Sequence, residues 1–201
     1  MKFIIVPFKN YKSAKSRMRK DLSDEETEKI VENMLRHVLT EVSKSQMSDA
    51  SFLITKDEEA ISLAKQIGVE TIEEKEQINE STSVDLATKI LIRRGATSVL
   101  RIPGDLPLLT YNDIDNVFRE SIETNSCILV PSKSGKGTNA ILRRPPDIIK
   151  SCFGEDSLRK HKKEFDRKQV QYKIVKNKNI ELDLDCLEDL QEFKNLHKEI
   201  S

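Results

Sequence analysis

Long apolar runs are missing from this sequence. The longest spans Phe3 to Val6 and its flank, far short of the ~20 residues needed to cross a bilayer, so no membrane association is expected. The N-terminus also lacks the longer apolar segment and small-residue cleavage site of a secretory leader, and a cytoplasmic location is expected. Neither sign of charge is in excess: 34 Lys plus Arg stand against 34 Asp plus Glu. That argues against nucleic acid or anionic lipid as a partner held mainly by electrostatics. Cysteine is scarce. Cys127, Cys152 and Cys186 form no C-x-x-C pair, and their odd number and wide spacing read as reduced thiols in packing roles. Six Gly and six Pro exclude a collagen-like or linker-rich chain. The P-loop pattern G-x-x-x-x-G-K-[ST] and the dinucleotide pattern G-x-G-x-x-G are both absent, which counts against those two nucleotide sites.

The 201 residues suffice for one sizeable core, and residues 1–201 are taken as a single domain because no repeat or composition break divides them. Hydrophobic residues make up 37% and charged residues 34%, so the surface carries both signs densely. Lys2–Val6 is a β-branched run stopped by Pro7 and predicts a buried strand. Ser23 stands three residues before Glu26 in a capping box. Behind it Ile30, Val31, Met34, Leu35, Val38, Leu39 and Val42 recur at helical spacing to about Ser43. Ala50–Ile54 is a second strand, Asp57 caps a helix that Gly68 ends, and Val69–Ile72 is a third strand. Glu73–Glu80 lacks periodicity and is expected as a solvated loop. Val84, Ala87, Ile90 and Leu91 predict a helix ended by Gly95, and Ser98–Ile102 a fourth strand. Thr110 and Asp113 form a second capping pattern, ahead of a stripe of Ile114, Val117, Phe118 and Ile122. Cys127–Val130, Thr138–Leu142 and Val170–Val175 are further strands. Helices are expected near Pro146–Cys152, over Ser157–Lys168 and over Leu187–Ile200. Strand and helix in alternation imply right-handed crossovers and a mainly parallel α/β sheet covered on both faces.

An open parallel sheet binds ligands beyond the carboxyl ends of its strands. After the first strand, Lys9, Lys12, Lys15 and Arg17 lie within nine residues. They are either a solvated loop or a flexible cationic wrap for a triphosphate. After the fourth, Asp105 either caps the turn between Pro103 and Pro107 or holds a divalent metal with Asp183 or Asp185. Asp183 and Asp185 alternate with Leu182 and Leu184 and so share one face of a strand. Like charges there repel unless a cation lies between them; an exposed edge strand explains them equally. Mg²⁺ suits such ligands, taking one or two carboxylates and completing its shell from phosphate and water. Gly135-x-Gly137-Thr138-Asn139 is a hairpin turn or a place where backbone N–H groups approach an anion. Within Phe153-Gly154-Glu-Asp-Ser157-x-x-x-His161, Ser157 and His161 are one turn apart at a helix start that suits a carboxylate or phosphate. The plain alternative is an N-cap and a surface histidine. His37 and His197 are expected on solvated helix faces, and no Ser-His-Asp or Cys-His set is specified by spacing.

Five segments, in order, resemble one family: Val6-Pro7-Phe8-Lys9 with Ala14-Lys15-Ser16-Arg17; Pro103-Gly104-Asp105-Leu106-Pro107-Leu108; Pro131-Ser132 with Gly137-Thr138-Asn139; Phe153-Gly154-x-x-Ser157-x-x-x-His161; and Asp183-Leu184-Asp185 with Glu188-Asp189-Leu190. The family is that of the 2-phospho-L-lactate guanylyltransferases, which activate a small phosphorylated acid in biosynthesis of the deazaflavin coenzyme F-420. The resemblance spans nearly the whole chain. It implies a single-domain GT-A-like nucleotidyltransferase fold, Rossmann-like and similar to that of the molybdopterin guanylyltransferases. It implies an enzyme that joins GMP from GTP to 2-phospho-L-lactate or phosphoenolpyruvate and releases pyrophosphate.

The same resemblance implies that Asp105 and Asp183 hold Mg²⁺, with Asp185 in support. Pro7, Lys9, Lys15, Arg17 and Gly104 are expected to bind the nucleotide, and Lys9, Lys15, Arg17 and Asp105 form the catalytic set. Thr138, Gly154 and Ser157 are expected to hold the acceptor acid, backed by His161. A homodimer is compatible with this. Two positions depart from the family pattern. Leu-Asn commonly opens the helix that here starts Val84-Asp85, so Asp85 is expected to accept from guanine in place of the Asn. Thr-Pro usually follows the second acid where this chain has Cys186-Leu187, and loss of that Pro affects only a helix start. The rivals are another GT-A-fold nucleotidyltransferase, molybdopterin guanylyltransferase-like or cytidylyl-transferring, and a catalytically dead nucleotide-binding regulator. The retained Asp105 and Asp183 speak against the last.

Overall fold

The computed structural model describes residues 1–120, 125–191 and 193. Its strands are β1 (Lys2–Pro7), β2 (Ala50–Thr55), β3 (Glu70–Glu73), β4 (Ser98–Arg101), β5 (Ser126–Pro131), β6 (Thr138–Arg144) and β7 (Gln171–Ile174). They form one sheet in the order β3-β2-β1-β4-β6-β5-β7. Neighbours pair parallel except β6, which runs antiparallel to β4 and β5. The mainly parallel mixed α/β sheet expected from the sequence is the one found. Helices α1 (Asp24–Ser43), α2 (Glu58–Ile67), α3 (Glu80–Arg93), α4 (Tyr111–Arg119), α5 (Ser157–Lys168) and α6 (Lys178–Glu181) complete the fold. No helix of the described residues is long and apolar enough to cross a membrane.

β1 lies inside the sheet and is covered on both sides, which is why Phe3, Ile4, Ile5 and Val6 are all buried and the run shows no polar alternation. Ile4 and Val6 join the larger core with Val31, Leu35, Val38 and Leu39 of α1 and Ile114 and Val117 of α4. Phe3 and Ile5 face the other way, onto Phe52, Val99 and the α3 residues Ala87 and Leu91. Leu158 and Phe165 of α5 pack on Cys127, Leu129 and Ile141 farther along the sheet. The helix ends follow the side-chain signals. Ser23 and Glu26 form a reciprocal capping box, as do Thr110 and Asp113, Asp57 caps α2, and Gly68 closes it at φ +86, a conformation only glycine adopts freely.

Three stretches and one histidine differ from expectation. No helix forms over 146–152; the chain makes only a turn, Ile148 N donating to the Pro145 carbonyl at 3.2 Å. The acidic stretch is not simply solvated. Glu74 is buried, and α3 begins at Glu80 because Asn79 accepts from Thr82 N at 3.0 Å. Leu182–Asp185 is extended and does alternate, with Leu182 and Leu184 buried, but it is not a strand; Leu184 N donates to the Asp105 carbonyl. A helix starts at Leu187, and its expected course to Ile200, with His197, lies outside the described residues. So does Ile122. His37 is half-buried and its Nε2 lies 2.9 Å from the Leu109 carbonyl.

β1 sits between β2 and β4, so the connections leave it in opposite directions, and the crevice beyond the ends of β1 and β4 is the switch point of the sheet. The basic loop after β1 reaches over that crevice and is tethered rather than flexible. Phe8, Tyr11 and Met18 are buried in the core, and Arg19 donates to the carbonyls of Ala14 at 3.0 Å and Tyr11 at 2.7 Å. Met18→Ala removes a fully buried anchor and is expected to cost about 2–5 kcal/mol. It should also free the loop, so that trypsin cuts first among Lys9, Lys12, Lys15 and Arg17. Urea melts and timed proteolysis check this; unchanged stability with first cleavage elsewhere would mean that other contacts hold the loop.

Candidate active site

Two adjoining cavities open at the switch point. The first, of about 640 Å³, is lined by the loop after β1 (Pro7, Lys9, Lys15, Arg17), by Gln77–Glu80 before and at the start of α3, and by Gly104 and Asp105 after β4. The second, of about 1210 Å³, is lined by Thr138 and Asn139 at the start of β6, by Gly154 and Ser157 before and at the start of α5, and by Asp183. Arg17, Glu80, Arg101, Pro103, Asp105 and Asp185 line both. The structure therefore gathers the expected residues around one junction: Pro7, Lys9, Lys15 and Gly104 on one side, Thr138, Gly154, Ser157 and Asp183 on the other, Arg17, Asp105 and Asp185 between them.

Lys15 is not a free cation in the cavity. Its side chain is only 8% exposed, and its ammonium is bound by Asp105 and, at 2.6 Å, by Asp185. Burial alone lowers an ammonium's proton affinity, but here Asp105 and then Asp185 more than offset it, and the Lys15 pKa is raised. Lys9 and Arg17 are exposed. Burial, then the charges of Asp105 and Asp185, push the Asp183 carboxyl above its usual range, although Asn139 Nδ2 donates to it at 3.2 Å. Among the described residues no three carboxylate, imidazole or thiol groups form a preformed cation cage. The group lying between Asp105 and Asp185 is Lys15.

The second cavity is built on hydroxyls. Ser157 is the first residue of α5 and not its N-cap; its Oγ accepts from Thr138 N at 2.8 Å. His161, a surface group in the plain alternative and a support of the acceptor pocket in the resemblance, is fully buried. Its Nε2 accepts from Cys152 N–H at 3.0 Å, so Nδ1 carries the proton and donates to Thr138 Oγ1 at 3.1 Å. Both hydroxyls thereby keep their own O–H free to donate. Asp156, ahead of α5, makes no side-chain cap; Leu158 N donates instead to the Lys136 carbonyl at 3.0 Å, and the N–H groups of Ser157 and Arg159 lack intrahelical partners. Gly154 takes φ +98 in the same wall, where an L side chain is strained.

Asp85 stands apart from this set, correcting its expected contact with guanine. It lines neither cavity. Its Oδ1 accepts from Ser151 N at 3.1 Å and Ser151 Oγ at 2.7 Å and pairs with Arg143 at 3.4 Å. Arg143, on β6, is buried, and such a charge requires a carboxylate partner. At Cys186-Leu187, Asp189 replaces the missing Pro by accepting from Asp185 N and Cys186 N at 2.9 Å each. Sequence reasoning missed Arg101. It is 6% exposed, donates to the Thr138 and Asn139 carbonyls at 3.2 and 3.1 Å, pairs with Glu80, and lies 4.2 Å from the Phe153 ring centre. The available signal was a charged residue closing an apolar strand, since a buried guanidinium demands such partners.

The family described as guanylyl transferase CofC like matches residues 1–199. The chain belongs to that family. A phosphoenolpyruvate guanylyltransferase of Sphaerobacter thermophilus is 29% identical over 190 residues, covering 94% of this chain and 90% of the relative. A 2-phospho-L-lactate guanylyltransferase of Methanobrevibacter smithii is 30% identical over 190 residues, covering 94% and 82%. A solved nucleotidyl transferase from Methanothermobacter matches 100% of this chain and 99% of its own, with a TM-score of 0.72 at 12% identity; that likeness carries the fold. As a CofC-like guanylyl transferase the protein is a nucleotidyltransferase, and the expected GT-A-like fold agrees with this neighbour.

The His161 network of this guanylyl transferase has a pH signature. Burial first, then Arg143 and Arg101, push the imidazole down from 6.5 to about 4. Below pH 6.5 the unfolded chain takes up a proton that the folded chain refuses until about pH 4. The contribution is thus full above 6.5 and is lost as pH falls across that window, by roughly 3 kcal/mol. Urea melts of wild type and His161→Gln at stepped pH should show a steeper acid loss in the wild type. Parallel curves would mean that the imidazole titrates normally.

Proposed function

We propose that the chain transfers GMP from GTP to a small phosphorylated three-carbon acid, phosphoenolpyruvate or 2-phospho-L-lactate, with release of pyrophosphate. The observation that carries this is the shared wall: two cavities meet at Arg17, Arg101, Asp105 and Asp185, one edged by exposed cations and the other by free hydroxyls and a helix start without a side-chain cap. Two anionic substrates that must react with each other fit such a pair. The names of the Sphaerobacter and Methanobrevibacter relatives support the nucleotide and the acceptor class.

An acceptor phosphate oxygen, already ionised at pH 7, attacks the α-phosphorus of GTP. The new P–O bond forms as the bond to the β-phosphate oxygen breaks, and pyrophosphate leaves on the opposite side. No general base is required, so the protein's contribution is positioning and charge neutralisation. Lys9 and Arg17 are assigned to the triphosphate, Lys15 to the orientation of Asp105 and Asp185, and Thr138, Ser157 and the Gly154 backbone to the acceptor. We assign Mg²⁺ to Asp105 and Asp183, with Asp185 in support. The donor set fits: Asp105 Oδ1 is buried without a hydrogen-bond partner, Asp183 senses its two neighbours' charge, and Mg²⁺ needs only one or two carboxylates besides phosphate and water. The ion, when bound, supplies positive charge for the phosphoryl oxygens.

A matrix of four nucleoside triphosphates against phosphoenolpyruvate, 2-phospho-L-lactate and 3-phosphoglycerate, read by mass spectrometry, tests the assignment. GTP with one of the first two should dominate, and equal rates with CTP would overturn it. Asp105→Asn and Asp183→Asn should each abolish most turnover; Asp183→Asn should melt near wild type, whereas Asp105→Asn should also lower the melting temperature because it takes a carboxylate from the buried Lys15. Wild-type rates in both at limiting Mg²⁺ would remove them as ligands. A hydrogen bond to a charged group contributes roughly 1.5–3 kcal/mol, so Thr138→Val and Ser157→Ala should raise the acceptor KM about ten- to a hundredfold. Weakened GTP binding with an unchanged acceptor KM would reverse the two subsites.

A further inference from the structure

With Asp85 held by Arg143 and Ser151, the group that reads the nucleobase must lie elsewhere. The sheet order restricts where. Asp105, after β4, stands at the wall shared by the two cavities, and the second cavity extends from there towards β6. A nucleotide with its α-phosphate at that wall and its phosphates on Lys9 and Arg17 therefore places its base in the first cavity, towards the ends of β1 and β3.

Gln77 lines that part of the first cavity and is absent from the second. Its Nε2 donates to the Phe8 carbonyl and to Glu74 Oε2, both at 2.9 Å. Both partners are acceptors, so the amide cannot turn over without placing oxygen against oxygen. Glu74 is itself buried, and its backbone N donates to the Thr55 carbonyl at 3.0 Å. The amide is thus fixed, and its Oε1 is buried with no hydrogen-bond partner. Such an orphan acceptor is costly and uncommon in a native structure. Two others, Arg101 Nε and Asp105 Oδ1, belong to residues lining the same cavity, as in a site completed by its ligand.

We propose that Gln77 determines nucleobase specificity, its Oε1, held in one flip state by Nε2 and uncovered as the base enters, accepting from the N1–H and N2–H₂ edge of guanine. Adenine presents a lone pair at N1 and a C–H at position 2, so the same oxygen meets repulsion and finds no donor. A site built to hydrogen-bond a polar group rejects analogues that lack it more strongly than an apolar pocket rejects an extra atom. This inference rests on the guanylyl-transfer assignment and supplies the residue that makes it guanine-selective.

Titration calorimetry of GTP and ATP against wild type, Gln77→Met and Gln77→Leu tests the proposal, with thermal melts to confirm folding. Wild type should prefer GTP. Either substitution should weaken GTP about tenfold and ATP much less, so the GTP-to-ATP affinity ratio collapses. Losing the tether on the Phe8 carbonyl loosens the cavity for both nucleotides alike. An equal loss for GTP and ATP, with the ratio kept, would therefore overturn the role of Gln77 and leave guanylyl transfer standing. A wild type that binds ATP as well as GTP would overturn guanylyl transfer itself.

Discussion

The ammonium of Lys15 is the one positive charge set between Asp105 and Asp185, with Asp183 close enough to feel both carboxylates. Three acidic groups at one edge of a sheet repel one another. Lys15 holds two of them together and ties three distant segments: the loop after β1, the turn after β4 and the extended chain before the last helix. Leu184 N on the Asp105 carbonyl and Asn139 Nδ2 on Asp183 extend the same junction to β6. Lys15 occupies the left-handed region at φ +56, a conformation disfavoured for a side-chain-bearing residue and retained where surrounding contacts demand it. Here the demand is visible: the ion pairs to Asp105 and Asp185 on one side and the buried Met18 on the other.

The overall charge balance of zero hides this separation of sign. It argues against long-range attraction to a polyanion, but it says nothing about a crevice. Lys9 and Arg17 stay exposed there while Arg101 is buried and paired with Glu80. Arg101 also takes the carbonyls of Thr138 and Asn139 and stacks on Phe153. One guanidinium thus joins the start of α3 in the first cavity to the walls of the second. Because a guanidinium offers five donors in a fixed fork, it can hold these groups at set angles, which a lysine cannot do.

Much of the fold was legible because its signals are local. Capping boxes at Ser23 and Thr110, the glycine after α2 and the runs of β-branched residues act within a few positions of themselves, and those elements appear where expected. The helix expected near Pro146 is absent: the segment makes one turn and Ser151 is bound by the distant Asp85, a contact no local signal carries. The Leu182–Asp185 alternation gave the correct faces without a strand, since burial of Leu182 and Leu184 needs only an extended chain. Within the site, Asp105, Asp183, Thr138 and Ser157 were readable because they follow or begin elements along one sheet edge. Asp85, Gln77 and Arg101 were not. Their roles depend on partners 58, 69 and 37 residues away, and no spacing rule carries such pairings.

The second cavity depends on an imidazole that stays neutral. Cys152 offers His161 Nε2 a backbone N–H, whose direction is fixed by the chain and cannot be reversed. Protonation would place two donors face to face at that contact. It would also add a charge near Arg101 and Arg143, both of which already depress the imidazole pKa. Neutrality in turn sets the tautomer, with the proton on Nδ1 and the Thr138 oxygen as its acceptor. Thr138 then has its own hydrogen to give, while its backbone N–H is taken by Ser157 Oγ, which leaves Ser157 a hydrogen to give as well. The backbone donor at Cys152 therefore propagates through His161 to the Thr138 O–H, and the backbone N–H of Thr138 separately leaves Ser157 its own, so the cavity wall ends with two O–H donors. That polarity suits an anion and opposes a cation.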